Sequence, residues 1–451
     1  MKNQITITRV CYILSFTLLT GMAVSCGGKP TIKALLGKQT PYEKYVQSLR
    51  LAKLHQSGLG MDWLEAGTRV LQDSLLLPIP FEETGYFRAE KPTAFSYNFK
   101  ARQGESIRIA AQTKSREEVK LFLDLFEVEN GYPRKVRHLE SADTTSLQIN
   151  FRVKEDLTYL VRLQPELLRS GSYTISISSQ PSLGFPVQGK GNSAIQSVWG
   201  QVRDNGARRH EGIDIFASRG TPAIAATKGT ITRVDETPIG GKVVWLSDDA
   251  ANQHIYYAHL DTQLVQAGQQ VVPGQVLGLV GNTGNARTTS PHLHFGIYRF
   301  GHGAVDPYPF VYTPTQKAVP LQVNTTQLGK WARTSKKEVN MRLSPDKKAV
   351  LVTTLDQNTA LQIVGGTANW YRVQLPTGLE GYIQANFIES LQKPLRNLKI
   401  SANTEVLEEP LANGTPIDQI KANSDVTVLA NYSQYLLIKT EDGTLGWLQV
   451  S

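Results

Sequence analysis

Apolar residues recur along this chain with two different periods. From residue 41 to about 76 they stand three or four apart, as in Tyr45, Leu49 and Leu51 and then Leu64 and Val70. That spacing predicts a two-helix hairpin broken at Gly58-Leu59-Gly60, within a tether-and-hairpin region spanning 26–79. From about 80 the period becomes two: Phe95/Tyr97/Phe99, Ile107/Ile109, Leu121/Leu123/Leu125, Leu147/Ile149/Phe151/Val153, Tyr159/Val161/Leu163 and Tyr173/Ile175/Ile177 alternate with polar positions. Side chains two apart on a strand share a face, so these runs predict an antiparallel β-sandwich over 80–181. Pro181–Gly191, rich in Pro, Gly and Ser, reads as a linker. The expected fold is therefore mainly β and multidomain, with a short helical hairpin at its start.

The first 25 residues contain Lys2 and Arg9, no acid, and an apolar run from Val10 to Leu19. The run is too short for a permanent span and reads as a secretory signal peptide over 1–25. It ends in MAVSC, which resembles the lipobox of bacterial lipoproteins although Ala23 stands where that pattern prefers leucine. The resemblance implies cleavage before Cys26 and lipidation of that residue. Gly27 after the cysteine, in place of an acid, points to the outer membrane of a two-membrane cell envelope. Cleavage there also discards Cys11, leaving one cysteine and no intramolecular disulfide. The whole chain carries a formal charge of +9. Losing Lys2 and Arg9 leaves 46 basic against 39 acidic side chains, a dispersed excess that suits an anionic polymer or membrane surface. No basic stripe argues for nucleic acid.

Candidate chemistry lies beyond the linker. Of eight histidines, six fall between 210 and 302, within RRHEGIDIF (208–216), IYYAHLD (255–261), SPHLHFGIY (290–298) and their surroundings. His292 and His294, two apart in a strand-like run, look into one shared space. In His210-Glu-Gly-Ile-Asp214, Gly212 and the following Ile-Asp-Ile-Phe predict a tight turn entering a strand rather than a helix. This is not a His-Glu-x-x-His motif, so Glu211 reads as a solvated carboxylate and not as a general base. A catalytic zinc site takes three protein ligands and leaves a fourth position open. Imidazoles with one carboxylate suit Zn²⁺ and not the oxygen-rich sites of Ca²⁺ or Mg²⁺. His210, Asp214 and one of His292 and His294 supply three ligands, and spacing does not choose between the last two. The remaining imidazoles are candidates for acid–base work.

The blocks VWGQVRDNGARRHEGIDIFASRGTPAIAATKGTI, YYAHL, GQQVVPGQVLGLVGNTGNA and PHLHFGIY, in this order, resemble the lysostaphin-type zinc endopeptidases of family M23 over residues 192–315. The resemblance implies an antiparallel β-sheet with a groove between loops. It implies His210, Asp214 and His294 as metal ligands, with His259 and His292 as catalytic residues facing the water and the scissile carbonyl. Gly281 and Gly284 match a glycine turn of the family, whereas NARTTS before Pro291 departs from it and no tyrosine takes the oxyanion role found in some relatives. His55, His254 and His302 read as ordinary surface or packed residues. In the tail, WYRVQLPTGLEGYI and LLIKTEDGTLGWL share Gly-x-x-Gly-aromatic signatures at Gly378/Gly381/Tyr382 and Gly443/Gly446/Trp447. With VNMRLSP they resemble bacterial SH3 domains, a clear copy over 325–392 and a degenerate one over 396–451, each a small β-barrel of a kind that binds cell-wall peptides. The expectation is a lipid-anchored envelope enzyme that hydrolyses peptide bonds of peptidoglycan cross-links or stems. The alternative is a non-catalytic scaffold that activates another cell-wall hydrolase.

Overall fold

A computed structural model describes residues 39–129, 131, 134–203 and 206–450. The signal peptide and Cys26 lie outside the described residues. Helices α1 (Pro41–Leu51) and α2 (Gly58–Arg69) form the expected hairpin, but its break falls at residues 52–57. There Lys53 adopts φ 58° and the Ser57 hydroxyl accepts from the Gly60 N–H, capping α2. Gly58 and Gly60 thus begin the second helix instead of separating the two. A Cβ on Gly60 would lie 1.9 Å from the Leu54 carbonyl oxygen, so close chain approach explains that glycine. His55 is half-buried in this turn. Trp63, fully buried, packs on Phe122 and donates its indole N–H to the Pro165 carbonyl, fastening the hairpin to the sandwich.

The sandwich has eight strands: β1 (Phe81–Phe87), β2 (Phe95–Ala101), β3 (Glu105–Ser115), β4 (Leu121–Glu129), β5 (Lys135–Ser141), β6 (Gln148–Arg152), β7 (Leu157–Pro165) and β8 (Gly171–Pro181). One sheet runs β2-β7-β4-β5 and the other β6-β3-β8-β1. The alternating apolar positions of the sequence meet between them in one core. Strand β1 escaped the periodic reading because its inward positions include Glu83 and Gly85.

The next region is antiparallel, with strands β9 (Ile195–Ser197), β10 (Val202–Arg203), β11 (Arg208–Arg209), β12 (Ile213–Phe216), β13 (Pro222–Ile224), β14 (Gly229–Thr237), β15 (Gly241–Asp248), β16 (Gln253–Gln263), β17 (Gln270–Val271), β18 (Val276–Val280), β19 (His292–Arg299) and β20 (Gly303–Val305). Its main path is β17-β14-β15-β16-β19-β12-β9, while β10 and β11 pair as a separate ribbon. Ile213, Ile215, Leu293, Phe295 and Ile297 turn into the core and leave no surface exposed. The alternate positions therefore face the opposite side. The supposed linker 181–191 is part of this region: Leu183 and Val187 are buried in its core, and Gly184 and Gln188 N–H groups donate to Ala226 and Pro222 carbonyls. Its Pro and Gly content reflects tight packing and not looseness.

The tail holds β21 (Trp331–Thr334), β22 (Val339–Arg342), β23 (Leu351–Leu355), β24 (Ala360–Thr367), β25 (Trp370–Gln374), β26 (Glu380–Gln384) and β27 (Ile388–Ser390), and a further six-stranded sheet lies between Arg396 and Gln449. The first of these is not a free-standing barrel. β24 pairs with β1 of the sandwich through Thr84–Gly366 and Gly85–Gly365, making one continuous eleven-stranded sheet. Glycines stand on both sides of that seam: on β24 a Cβ on Gly365 would strike the Glu83 carboxyl and one on Gly366 would strike Val323, and on β1 one on Gly85 would strike the Tyr173 ring.

Candidate metal centre

Strands β12 and β19 pair in antiparallel register with Asp214 opposite His294 and Phe216 opposite His292. Directly opposed residues on one face are near neighbours, so the register itself sets His294, and not His292, beside Asp214. His210 precedes β12 by a turn. Its backbone is fixed by a mutual exchange, His210 N–H to the Gln201 carbonyl and Gly200 N–H to the His210 carbonyl. Gly212 makes the turn possible: a Cβ there would sit 2.6 Å from the His294 ring and 2.7 Å from the Phe295 carbonyl oxygen.

Three electron-pair donors converge as a result. His210 Nε2 lies 3.0 Å from Asp214 Oδ1 and 3.0 Å from His294 Nδ1, and His294 Nδ1 lies 3.1 Å from Asp214 Oδ1. Atoms about 2.0–2.1 Å from a tetrahedral zinc stand about 3.3 Å apart, so the triangle fits such an ion. Among the described residues this is the one cluster with metal-ligand geometry. The protonation states fit too. The Val198 carbonyl, 3.0 Å from His210 Nδ1, can only accept, so the proton sits on Nδ1 and Nε2 keeps its lone pair. Burial pushes the His294 imidazole below its ordinary pKa, against the pull of Asp214. Burial alone raises the Asp214 carboxyl, but the two imidazoles against it, His210 and His294, outweigh burial and hold the group below the usual carboxylate range. Neutral imidazoles and an ionised carboxylate are the forms that bind metal.

His259 and His292 border this triangle. Their ring centroids are 5.1 Å apart, and His259 lies 5.9 Å from His294. Each Nδ1 faces a carbonyl oxygen at 2.9 Å, Thr283 for His259 and Ser290 for His292, which places the proton on Nδ1 and leaves Nε2 as a proton acceptor. His259 takes φ 62° at an irregular point of β16, its N–H held by the Gly240 carbonyl. A left-handed histidine is backbone strain kept by its surroundings. Burial lowers its pKa to about 4. Glu211 is exposed and bonds Tyr298, while His254 and His302 are exposed and apart from the cluster. Gly281 exchanges a bridge with His292, and Gly284 (φ 72°) packs on the Gly241 backbone, so both shape the wall beside the imidazoles.

Sequence reasoning missed Ser197 and Arg203. The Arg203 guanidinium donates to Asp214 Oδ2 at 2.7 Å, and the Ser197 hydroxyl lies 3.2 Å from His210 Nδ1. Arg203 lies within the block VWGQVRDNGARRHEGIDIF, where no local spacing ties it to Asp214.

Residues 208–307 match the description Peptidase family M23, and residues 337–389 match Bacterial SH3 domain. This chain carries an M23 peptidase domain. An L-Ala--D-Glu endopeptidase of Bacillus subtilis is 36% identical over 136 residues, 28% of this chain and 41% of the relative. Peptidoglycan DD-endopeptidase ShyC of Vibrio cholerae is 35% identical over 102 residues, 22% of each chain. The solved catalytic domain of lysostaphin from Staphylococcus simulans shares 34% identity, covering 25% of this chain and 87% of that one with a TM-score of 0.23. The match thus spans 41% or less of these two curated relatives, and residues 208–307 hold all five singled-out site residues.

Proposed function

We propose that this protein is a zinc-dependent endopeptidase that hydrolyses peptide bonds in the cross-links or stems of peptidoglycan. The observation that carries this reading is the convergence of His210 Nε2, Asp214 Oδ1 and His294 Nδ1 within 3.1 Å of one another, with two further imidazoles beside them. When bound, zinc at this site supplies Lewis acidity and makes water a usable nucleophile near neutral pH. His210, Asp214 and His294 hold it. His259 and His292, with Nδ1 pinned to backbone carbonyls, take up a proton at Nε2 and return it to the leaving amine. Burial keeps His259 neutral well below pH 7, with its Nε2 open to a proton.

The substrate class rests on the family of the domain, on relatives named as a peptidoglycan DD-endopeptidase and an L-Ala--D-Glu endopeptidase, and on the SH3 domain beside it. Cys26, acylated after signal cleavage, would anchor the enzyme in the envelope, with the outer membrane as its site. The test is digestion of purified peptidoglycan by the zinc-loaded chain, with products identified by mass. New peptide termini, absent with the Asp214→Ala variant, support the reading. Intact peptidoglycan after exposure to folded, zinc-loaded wild type overturns it.

A further inference from the structure

We propose that Arg203 is a positioning residue that holds Asp214 to a single ligand oxygen. The inference rests on the metal-centre reading above and concerns a side chain outside its ligand set. Asp214 offers two oxygens, and only Oδ1 faces the two imidazole nitrogens. Oδ2 turns away and receives Arg203 Nη2 at 2.7 Å. The same Nη2 donates to the Ser197 hydroxyl, which in turn donates to Gln201 Oε1 at 2.8 Å and lies 3.2 Å from Nδ1 of His210. One guanidinium nitrogen thereby reaches the outer side of two of the three ligands.

The backbone makes this contact hard to avoid. Arg203 pairs with Arg208 and Val202 with Arg209 in the β10–β11 ribbon, whose next step is the exchange between His210 and residues 200 and 201. Arg203 is therefore registered to a ligand, on the same short ribbon. Its side chain is about one-third exposed, at 35%, and that of Asp214 is 10% exposed. A carboxylate whose second oxygen is free can rotate or present both oxygens to an ion. With Oδ2 held by a charge-assisted bond, the aspartate presents one oxygen at a fixed angle. Groups that orient ligands in this way alter metal affinity by roughly 10–100-fold when removed.

The experiment measures the zinc dissociation constant of the full chain by chelator competition, for wild type, Arg203→Met, Arg203→Lys and Asp214→Ala. The visible spectrum of each chain loaded with cobalt(II) is recorded, as is the unfolding midpoint of each metal-free form. Arg203→Met is expected to weaken zinc by roughly 10–100-fold. It should also change the cobalt bands as Asp214 gains a second contact, and leave the metal-free midpoint unchanged. Arg203→Lys, which keeps a cationic donor, should recover much of the affinity. If Arg203→Met binds zinc as wild type does and gives the same cobalt spectrum while Asp214→Ala loses the metal, this proposal fails and the metal centre stands. A lowered metal-free midpoint with an unchanged cobalt spectrum also overturns it, since Arg203 would then only brace the ribbon. A wild-type chain that takes up no zinc overturns the metal-centre reading itself.

Discussion

Two buried polar clusters in this molecule use similar residues to opposite ends. At the seam between the sandwich and the first SH3-like unit, Arg372 is 1% exposed and lies among Glu83, Glu380 and Asp73. Tyr97 and Tyr382 donate to the two Glu83 oxygens at 2.8 and 2.9 Å, and Arg372 also donates to the Ser96 carbonyl. Every charge there meets an opposite charge or a donor from within the chain. At the metal centre, by contrast, two imidazole nitrogens and a carboxylate oxygen point at one another. Burial of polar groups is common to both, so it does not mark function. What distinguishes the second cluster is convergence of acceptors on a point that calls for a cation.

Removing Asp214 should have the largest effect. Asp214→Ala is expected to take peptidoglycan cleavage to background and to abolish stoichiometric zinc, read by metal analysis and product mass, while the fold persists by circular dichroism. If His259 and His292 have the proposed proton-handling role, His292→Ala and His259→Ala should each lower kcat by roughly 10²–10⁴ with zinc content retained. A variant of either that loses its zinc would move that residue into the ligand set. In the seam, Arg372→Met strands Glu83 and Glu380 without their cation and should cost about 3–5 kcal/mol in denaturant unfolding. The zinc affinity of the molecules that remain folded should not change, which separates the structural cluster from the functional one. The smallest effect concerns pH. His259, held near 4, and His294, also lowered, stay neutral in the folded metal-free chain, whereas the unfolded chain takes up those protons near 6.5. Stability of the metal-free form is thus full above about pH 6.5 and declines as pH falls toward 4. A melting series with chelator present reads this, and His259→Gln should flatten part of the slope.

The His210–Asp214–His294 triangle was legible because its signals are local. A four-residue interval and a two-residue interval each fix a pair on one face or turn, and the clustering of histidines draws attention to them. The choice between His292 and His294 was not legible from spacing, since it follows from the Asp214–His294 register between strands 80 residues apart in sequence. Arg203 shares that limit, because its partner Oδ2 is met only once the ribbon has folded. Strand β1 was unreadable for the same kind of reason: Glu83 occupies an inward position whose partners Arg372 and Tyr382 come from nearly 300 residues away. The segment 181–191 misled in the other direction, as turn-forming residues also serve a chain laid tightly against a core. Alternation in the other sandwich strands was clear because their core-facing positions are apolar, as Tyr97, Val161 and Ile175 illustrate.

X-ray absorption at the zinc edge of the loaded full chain interrogates the ligand triangle itself. Two imidazole rings and light-atom oxygen in a four-coordinate shell, with the imidazole signal halved in His294→Ala, is the predicted result. A shell of oxygens alone, or one unchanged by His294→Ala, would contradict the assignment of this centre.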